Sequence, residues 1–458
     1  MKMRPFALLT AVTLIAAATL FSPMSPAPAT TPGHVDSGDT AWLLTATCLV
    51  LLMTPGLSFF YGGMVSRKNV ISTMLQSFIA LGVISLIWVA FGFSLAFGES
   101  WHGLIGNPMT YFMFRNVGGA THPSLSPTIP LVLFAMFQLK FAVITPALIT
   151  GSFAERVRFS AYLLFMALFS IFVYCPLAHW TWHPQGFLHQ WGVLDFAGGT
   201  VVHMSAGLAA LAGAVFLGPR RADLGHGHTA SNIPYVLLGT GMLWFGWFGF
   251  NAGSALGANA SASAAVATTN TASAAAMLTW ILLDAARNRR PSALGACIGA
   301  VVGLVAITPA AGYVSVGHSV FIGIIAALVS NVAVHLKSKS SLDDTLDVFP
   351  CHGMGGIVGM LATGFLARDV GLYFGQTRTM LFHLLALVVV GTFSFGVSWL
   401  LYWVTDSLIT LRVAPAEEAI GLDLSQHGEF LELDPFHQFG GFAGQNEPES
   451  KPRSDRDS

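Results

Sequence analysis

The 458-residue chain reads as an all-α polytopic membrane protein, and three observations predict it. Charged residues make up 9% of the chain against roughly 25% in soluble domains, and the mean hydropathy is +0.66. Apolar stretches of membrane-crossing length recur along nearly its whole length. The basic residues gather in alternate gaps between those stretches. With a net charge of −1 and no long basic run, the composition argues against nucleic acid as a partner.

The first 30 residues form a separate piece. Lys2 and Arg4 precede an apolar core from Phe6 to Phe21, followed by Ser22-Pro-Met-Ser-Pro-Ala-Pro-Ala29. That order predicts a secretory signal peptide cleaved near Ala27 or Ala29, with an extra uncleaved helix as the alternative. A span takes about 20 mostly apolar residues. On that basis eleven transmembrane helices are predicted, at 40–61, 70–97, 129–152, 159–178, 197–218, 232–251, 262–284, 293–312, 317–336, 350–367 and 379–411. The segment at 350–367 is short and glycine-rich, whereas the last is longer than a bilayer requires.

Orientation follows from the basic residues. With the mature N-terminus outside, the inner loops hold Arg67, Lys68, Arg156, Arg158, Arg220, Arg221, Arg287, Arg289, Arg290, Lys337 and Lys339. The outer loops hold Arg115, Arg368 and Arg378, and eleven against three is the asymmetry of the positive-inside rule. The transmembrane domain then occupies 39–411, and residues 412–458 form a cytoplasmic tail, polar and predicted to be disordered after about 430. The four cysteines all fall in apolar runs, which argues against a disulfide framework. Helices one to five and six to ten form two halves, each odd in number and so opposite in orientation. This predicts an inverted 5+5 repeat plus a long final helix.

The fifth segment of each half carries a histidine led by an aspartate. Asp195 precedes His203, and Asp347 precedes His352. A single buried histidine is more often packed against a backbone carbonyl than functional. A matched pair in corresponding helices shifts the reading toward a polar pathway at mid-membrane. Glycines beside both (Gly198, Gly199, Gly207; Gly353, Gly355, Gly356) permit close helix approach. Asp195 opens its helix and reads as support for the pathway, because a carboxylate there can accept from exposed N–H groups. No third ligand sits at metal spacing, and no HExxH, nucleophile or cofactor motif is present, so neither a metal, a cofactor nor an enzyme is predicted. His226 and His228 read as solvated loop residues, and Lys140 lies inside the third helix with no evident partner.

These residues resemble the ammonium transporter (Amt/Mep/Rh) superfamily, in its bacterial Amt branch. Asp195-Phe-Ala-Gly-Gly-Thr-Val-Val-His203 is similar to the family signature. The likeness extends through Phe59-Phe-Tyr-Gly-Gly-Met-Val65, Phe153-Ala-Glu-Arg156, Gly246-Trp-Phe-Gly-Phe-Asn-Ala-Gly-Ser254, Thr308-Pro-Ala-Ala-Gly-Tyr313, Asp347-Val-Phe-Pro-Cys-His352 and Gly421-Leu-Asp-Leu-Ser-Gln-His-Gly428. The resemblance implies a homotrimer in the bacterial inner membrane, with one pore per subunit lined by His203 and His352. It implies an aromatic gate of Phe141 and Phe250, ammonium recruitment at Trp182 and Ser254, and support by Asp195 and Asp347. It also implies a PII-type signalling protein as a partner of the tail. An ammonium sensor acting through such a partner and a Rh-like gas channel remain open as alternatives.

Overall fold

The computed structural model describes residues 34–221 and 230–431, together with Ala17. The expected signal peptide (Ala17 apart), His226, His228 and the tail beyond 431 lie outside the described residues.

Ten helices among the described residues are long and apolar enough to cross a membrane. In chain order they are α1 Ser37–Met64, α2 Arg67–Phe97, α3 Leu131–Ser152, α4 Phe159–Trp191, α5 Gly199–Leu217, α6 Ile233–Gly253, α7 Ala260–Ala286, α9 Val316–Ser338, α10 Phe349–Leu366 and α11 Thr377–Leu408. The remaining expected segment, 293–312, is helical only as α8, Ala293–Ile307. At 15 residues it rises about 23 Å, short of a full crossing. Pro309 brings no N–H to continue the ladder, and the chain leaves the helix through tight turns at 308–313. Every expected segment therefore contains a helix, while the count of eleven full spans is not confirmed. Most other boundaries shift by one to three residues, and α4 shifts by more. α4 continues to Trp191 across a break after Trp182, and the final helix stops at Leu408.

Burial explains why so little of this chain is amphipathic. α3 and α5 are largely enclosed by other helices, so their apolar residues run all round rather than along one stripe. α1 packs along α6, α5 against α11, and α7 against α8 and α9. The loop between α2 and α3 adds a small hairpin, Ser100–Trp101 against Ile105–Gly106.

One face of the bundle is closed by the tail. Val413 N donates to Arg156 O, Arg158 N to Leu411 O, and Leu422 N to Asn69 Oδ1. A short helix, Pro415–Ile420, precedes Asp423, whose carboxylate accepts from Ile71 N and Ser72 N at the start of α2. Beneath it Arg220 pairs with Glu155 at 2.7 Å and Asp343 at 2.9 Å, and Arg412 pairs with the buried Glu418 at 3.1 Å. Burial opposes the charge of Asp343, yet its bonds and proximity to Arg220 and Arg156 hold it below the usual carboxylate range.

Candidate functional site

α5 and α10 begin on opposite faces of the bundle, and their first turns are built alike. On the face opposite the tail, Asp195 Oδ1 accepts from Gly198 N at 2.8 Å and Gly199 N at 2.6 Å. Its Oδ2 accepts from Thr200 N at 2.8 Å and Thr200 Oγ1 at 2.5 Å. Only glycine holds the turn comfortably at Gly198, where φ is 122°. The helix then opens as a π-helical turn, Gly199–Met204, which carries His203. On the tail face, Asp344 Oδ1 accepts from Val348 N at 3.1 Å and Oδ2 from Phe349 N at 2.7 Å. A π-helical turn follows here as well, Phe349–Gly353, carrying His352.

This corrects the role expected of Asp347. The acid that binds the start of α10 is Asp344, eight residues before His352 as Asp195 is eight before His203. Asp347 instead sits at φ 57° and pairs with Lys337 at 2.6 Å. Burial, reinforced by the nearby Asp347 carboxylate, raises the Asp344 carboxyl to about 6.

The two segments cross at glycines. A Cβ on Gly207 would strike the backbone of Gly353, and one on Gly356 would press on Gly199 O and Met204 N. Gly207 and Gly356 each lie twelve residues after their aspartate, so each half offers the same contact to the other. At this crossing His203 Nδ1 and His352 Nδ1 stand 3.3 Å apart. One of the two must donate and the other accept. Both rings are buried, and His203 Nε2 has no hydrogen-bond partner among the described residues.

Two other buried histidines are bound quite differently. His383 Nδ1 donates to Met360 O at 2.8 Å, and its Nε2 accepts from Leu194 N at 3.0 Å. His179 Nδ1 donates to Ala96 O at 2.9 Å, and its Nε2 accepts from Ser100 Oγ at 2.7 Å. Both ring nitrogens are occupied in each, so these histidines are struts. The His203–His352 pair keeps an edge uncommitted.

A line of aromatic rings leads to the pair. Phe141 and Phe250 lie with centroids 4.2 Å apart, and Trp182 meets Phe141 edge-on at 5.8 Å. Phe250 in turn lies 6.0 Å from His203. On the far side of the rings from His203 is a cavity of about 140 Å³, lined by Phe141, Trp182, Ser254, Phe97, Phe134 and Phe196 among others. Ser254 Oγ donates its hydrogen to Phe250 O at 2.8 Å, leaving lone pairs for the cavity. Around the histidines themselves the space shrinks to about 10 Å³, room for one water-sized molecule, walled by Leu57, Val202, Leu243, Trp247 and Phe250 among others. Lys140 is half-buried and lines neither cavity.

Comparisons with known proteins identify the family. The profile of the Ammonium Transporter Family matches residues 41–432. The chain belongs to that family. A putative ammonium transporter of Methanothermobacter thermautotrophicus is 45% identical over 405 residues, covering 86% of this chain and 98% of the relative. Among solved structures, Saccharomyces cerevisiae Mep2 superposes with a TM-score of 0.79 at 34% identity, over 84% of this chain and 89% of that one. A Sensor Amt Protein gives 0.78 at 30% identity, over 85% and 98%.

Within this family member, the structure brings together six of the eight residues expected at the site. His203, His352, Phe141, Phe250, Trp182 and Ser254 form one connected line, and Asp195 braces it through Trp182 Nε1, which donates to Asp195 O at 3.0 Å. Asp347 stands apart. Sequence reasoning overlooked Asp344, although the repeated spacing of eight would have found it. It also overlooked Trp247, which stacks on His203 at 5.4 Å while its Nε1 donates to Thr308 Oγ1 at 2.9 Å. No local pattern marks such a residue. Among the described residues no cluster of three or more His, Cys, Asp or Glu could hold a metal ion.

Proposed function

We propose that this chain conducts ammonium nitrogen across the bacterial inner membrane, with the face carrying Trp182 outside and the tail in the cytoplasm. Ammonium is recruited at the cavity beside Trp182 and Ser254, loses a proton near the Phe141–Phe250 rings, and passes the histidines as ammonia. The observation that carries this reading is the sequence of environments along one line. A roomy aromatic cavity gives way to a stacked ring pair and then to a single-molecule apolar space with one polar edge.

Physical chemistry decides between the cation and the neutral molecule. Moving a bare cation into an apolar channel costs tens of kcal/mol in a Born estimate. Cation–π attraction in the outer cavity returns only about 0.5–2 kcal/mol. That suffices for recruitment and falls far short of dragging the charge through. Ammonia pays little of the Born cost, and the uncommitted His203 edge supplies a hydrogen-bonding stop along the way. Potassium has no proton to leave behind, so the same pore excludes it. Each subunit of a homotrimer would hold one such pore.

The test is ammonium uptake in transporter-deficient cells by wild type and by His203→Ala/His352→Ala. Loss of at least about 100-fold in the folded double variant is expected, and wild-type uptake by that variant would refute the mechanism. Current recorded across a reconstituted membrane during an ammonium pulse tells whether the proton follows the ammonia.

The likeness to a Sensor Amt Protein favours a second role, in signalling, for the tail face. In this reading a PII-type protein docks on the tail, whose packing against α2 and the α3–α4 loop would transmit the contact to the pore. Capture of a PII-type protein by the full chain, lost when residues after 412 are deleted, is the expected result.

A further inference from the structure

Gln138 lines the outer cavity together with Ser124 and Ser254, and the recruitment reading above gives it no task. It lies three residues before Phe141 on α3, so with Phe134 and Phe141 it shares the face that lines the outer cavity. Its side chain is only 8% exposed. Its Oε1 has no hydrogen-bond partner among the described residues. Kept on its buried side, that carbonyl would go unbonded at a cost of about 1–3 kcal/mol. A leucine or methionine would fill the same volume without that cost.

We propose that Gln138 is a recruitment residue, its side-chain carbonyl accepting an N–H of ammonium in the outer cavity. This rests on the conduction reading above and extends it to the substrate's hydrogen bonds. The carboxamide can turn end over end about its last torsion, exchanging oxygen and nitrogen without changing its shape, so the carbonyl can face the cavity. Ser254 offers lone pairs to that cavity because its hydrogen is committed to Phe250 O. Two neutral acceptors then meet a cation that brings four N–H donors, with the Trp182 and Phe141 rings completing its surroundings. Neutral acceptors suit this task. A carboxylate would bind the cation more tightly and oppose the loss of its proton, whereas an amide holds it and lets it go. The position also matters, for Gln138 sits about 4.5 Å along the helix axis from Phe141. Ammonium held there is one step from the ring pair it must pass as ammonia.

The experiment is saturable ammonium uptake by wild type, Gln138→Leu, Gln138→Met and Gln138→Glu, each confirmed as folded and inserted. With Leu and Met the half-saturating ammonium concentration should rise about tenfold, the loss of one hydrogen bond to a charged donor. The maximal rate should stay within about twofold of wild type. Gln138→Glu should lower the half-saturating concentration and slow the maximal rate, because the anion tightens recruitment and resists deprotonation. Gln138→Met keeps the length of the side chain and carries the test should the branched leucine prevent folding. Half-saturation unmoved in Gln138→Met overturns the proposal, as does a loss confined to maximal rate, which a packing role alone would give. Histidine-dependent uptake with half-saturation unmoved sinks this proposal and leaves the conduction reading standing. Uptake that does not depend on His203 and His352 sinks both.

Discussion

The two histidine segments share a plan and differ in how firmly each is anchored. Asp195 spends both oxygens on four donors, three backbone N–H groups and the Thr200 hydroxyl. Asp344, at the equivalent place, accepts among the described residues from Val348 N and Phe349 N and lies close to a second acid, Asp347. The residue three places after each aspartate has positive φ in both turns, a glycine, Gly198, in the first and a second acid, Asp347, in the other. Duplicated architecture therefore need not mean duplicated energetics. The anchor beside the Trp182 cavity is held by four donors, whereas the anchor on the tail face has two and is a carboxyl raised to about 6.

The largest effect that could break this comparison lies at the crossing. Gly207→Val and Gly356→Val each drive a side chain into the partner segment's backbone. Both should abolish recoverable folded protein, because rigid backbone cannot relax as a side chain can. Detergent-extracted yield and size-exclusion profile measure this. A well-folded Gly207→Val would contradict the contact.

Next comes Asp195→Asn. The amide replaces one accepting oxygen with a donor that faces N–H groups, a loss on the order of 3–5 kcal/mol for a buried charged hydrogen-bond set. Thermal unfolding should show it. The same substitution at Asp344 should cost within about 1 kcal/mol at pH 7, since the anion there is already disfavoured. Equal losses at the two positions would mean the halves are anchored alike.

The pH dependence sharpens the contrast. The Asp344 carboxyl is raised from 3.8 to about 6, so the folded protein binds that proton more tightly than the unfolded chain. Its stabilising contribution is whole below about pH 4 and is lost as pH rises through about 6. The stability of wild type relative to Asp344→Asn should therefore fall by up to about 3 kcal/mol between pH 4 and 7. Paired unfolding curves at several pH values within that window check it, and a flat difference would remove the titration.

Much of this was legible beforehand because membrane chemistry writes in long strokes. Each helix announced itself by length and hydropathy, and His203 and His352 stood out because imidazole is costly among lipids. The stacked rings Phe141 and Phe250 were singled out only through resemblance, since 35 phenylalanines carry no mark of their own. Asp344 escaped because the acid nearest His352, Asp347, drew attention away from the one at matching register. The early end of α8 escaped because hydropathy continues through Thr308-Pro-Ala-Ala while the backbone turns. Gln138 sits among apolar neighbours in sequence and acquires meaning only beside the outer cavity.

The 3.3 Å contact between the two Nδ1 atoms carries one more consequence. A single hydrogen serves both rings, so whichever ring owns it shows a bare nitrogen at its outer edge while the other shows N–H. The pair thus has a polarity with two settings, like a switch. On the conduction reading proposed above, ammonia slipping past leaves the switch as it was. A proton handed along the rings throws it, and it must be thrown back before the next can follow. With His203 stacked on Trp247, turning the ring over is obstructed. On that reading any proton traffic along the rings is paced by resetting, whereas the passage of neutral ammonia needs no such step.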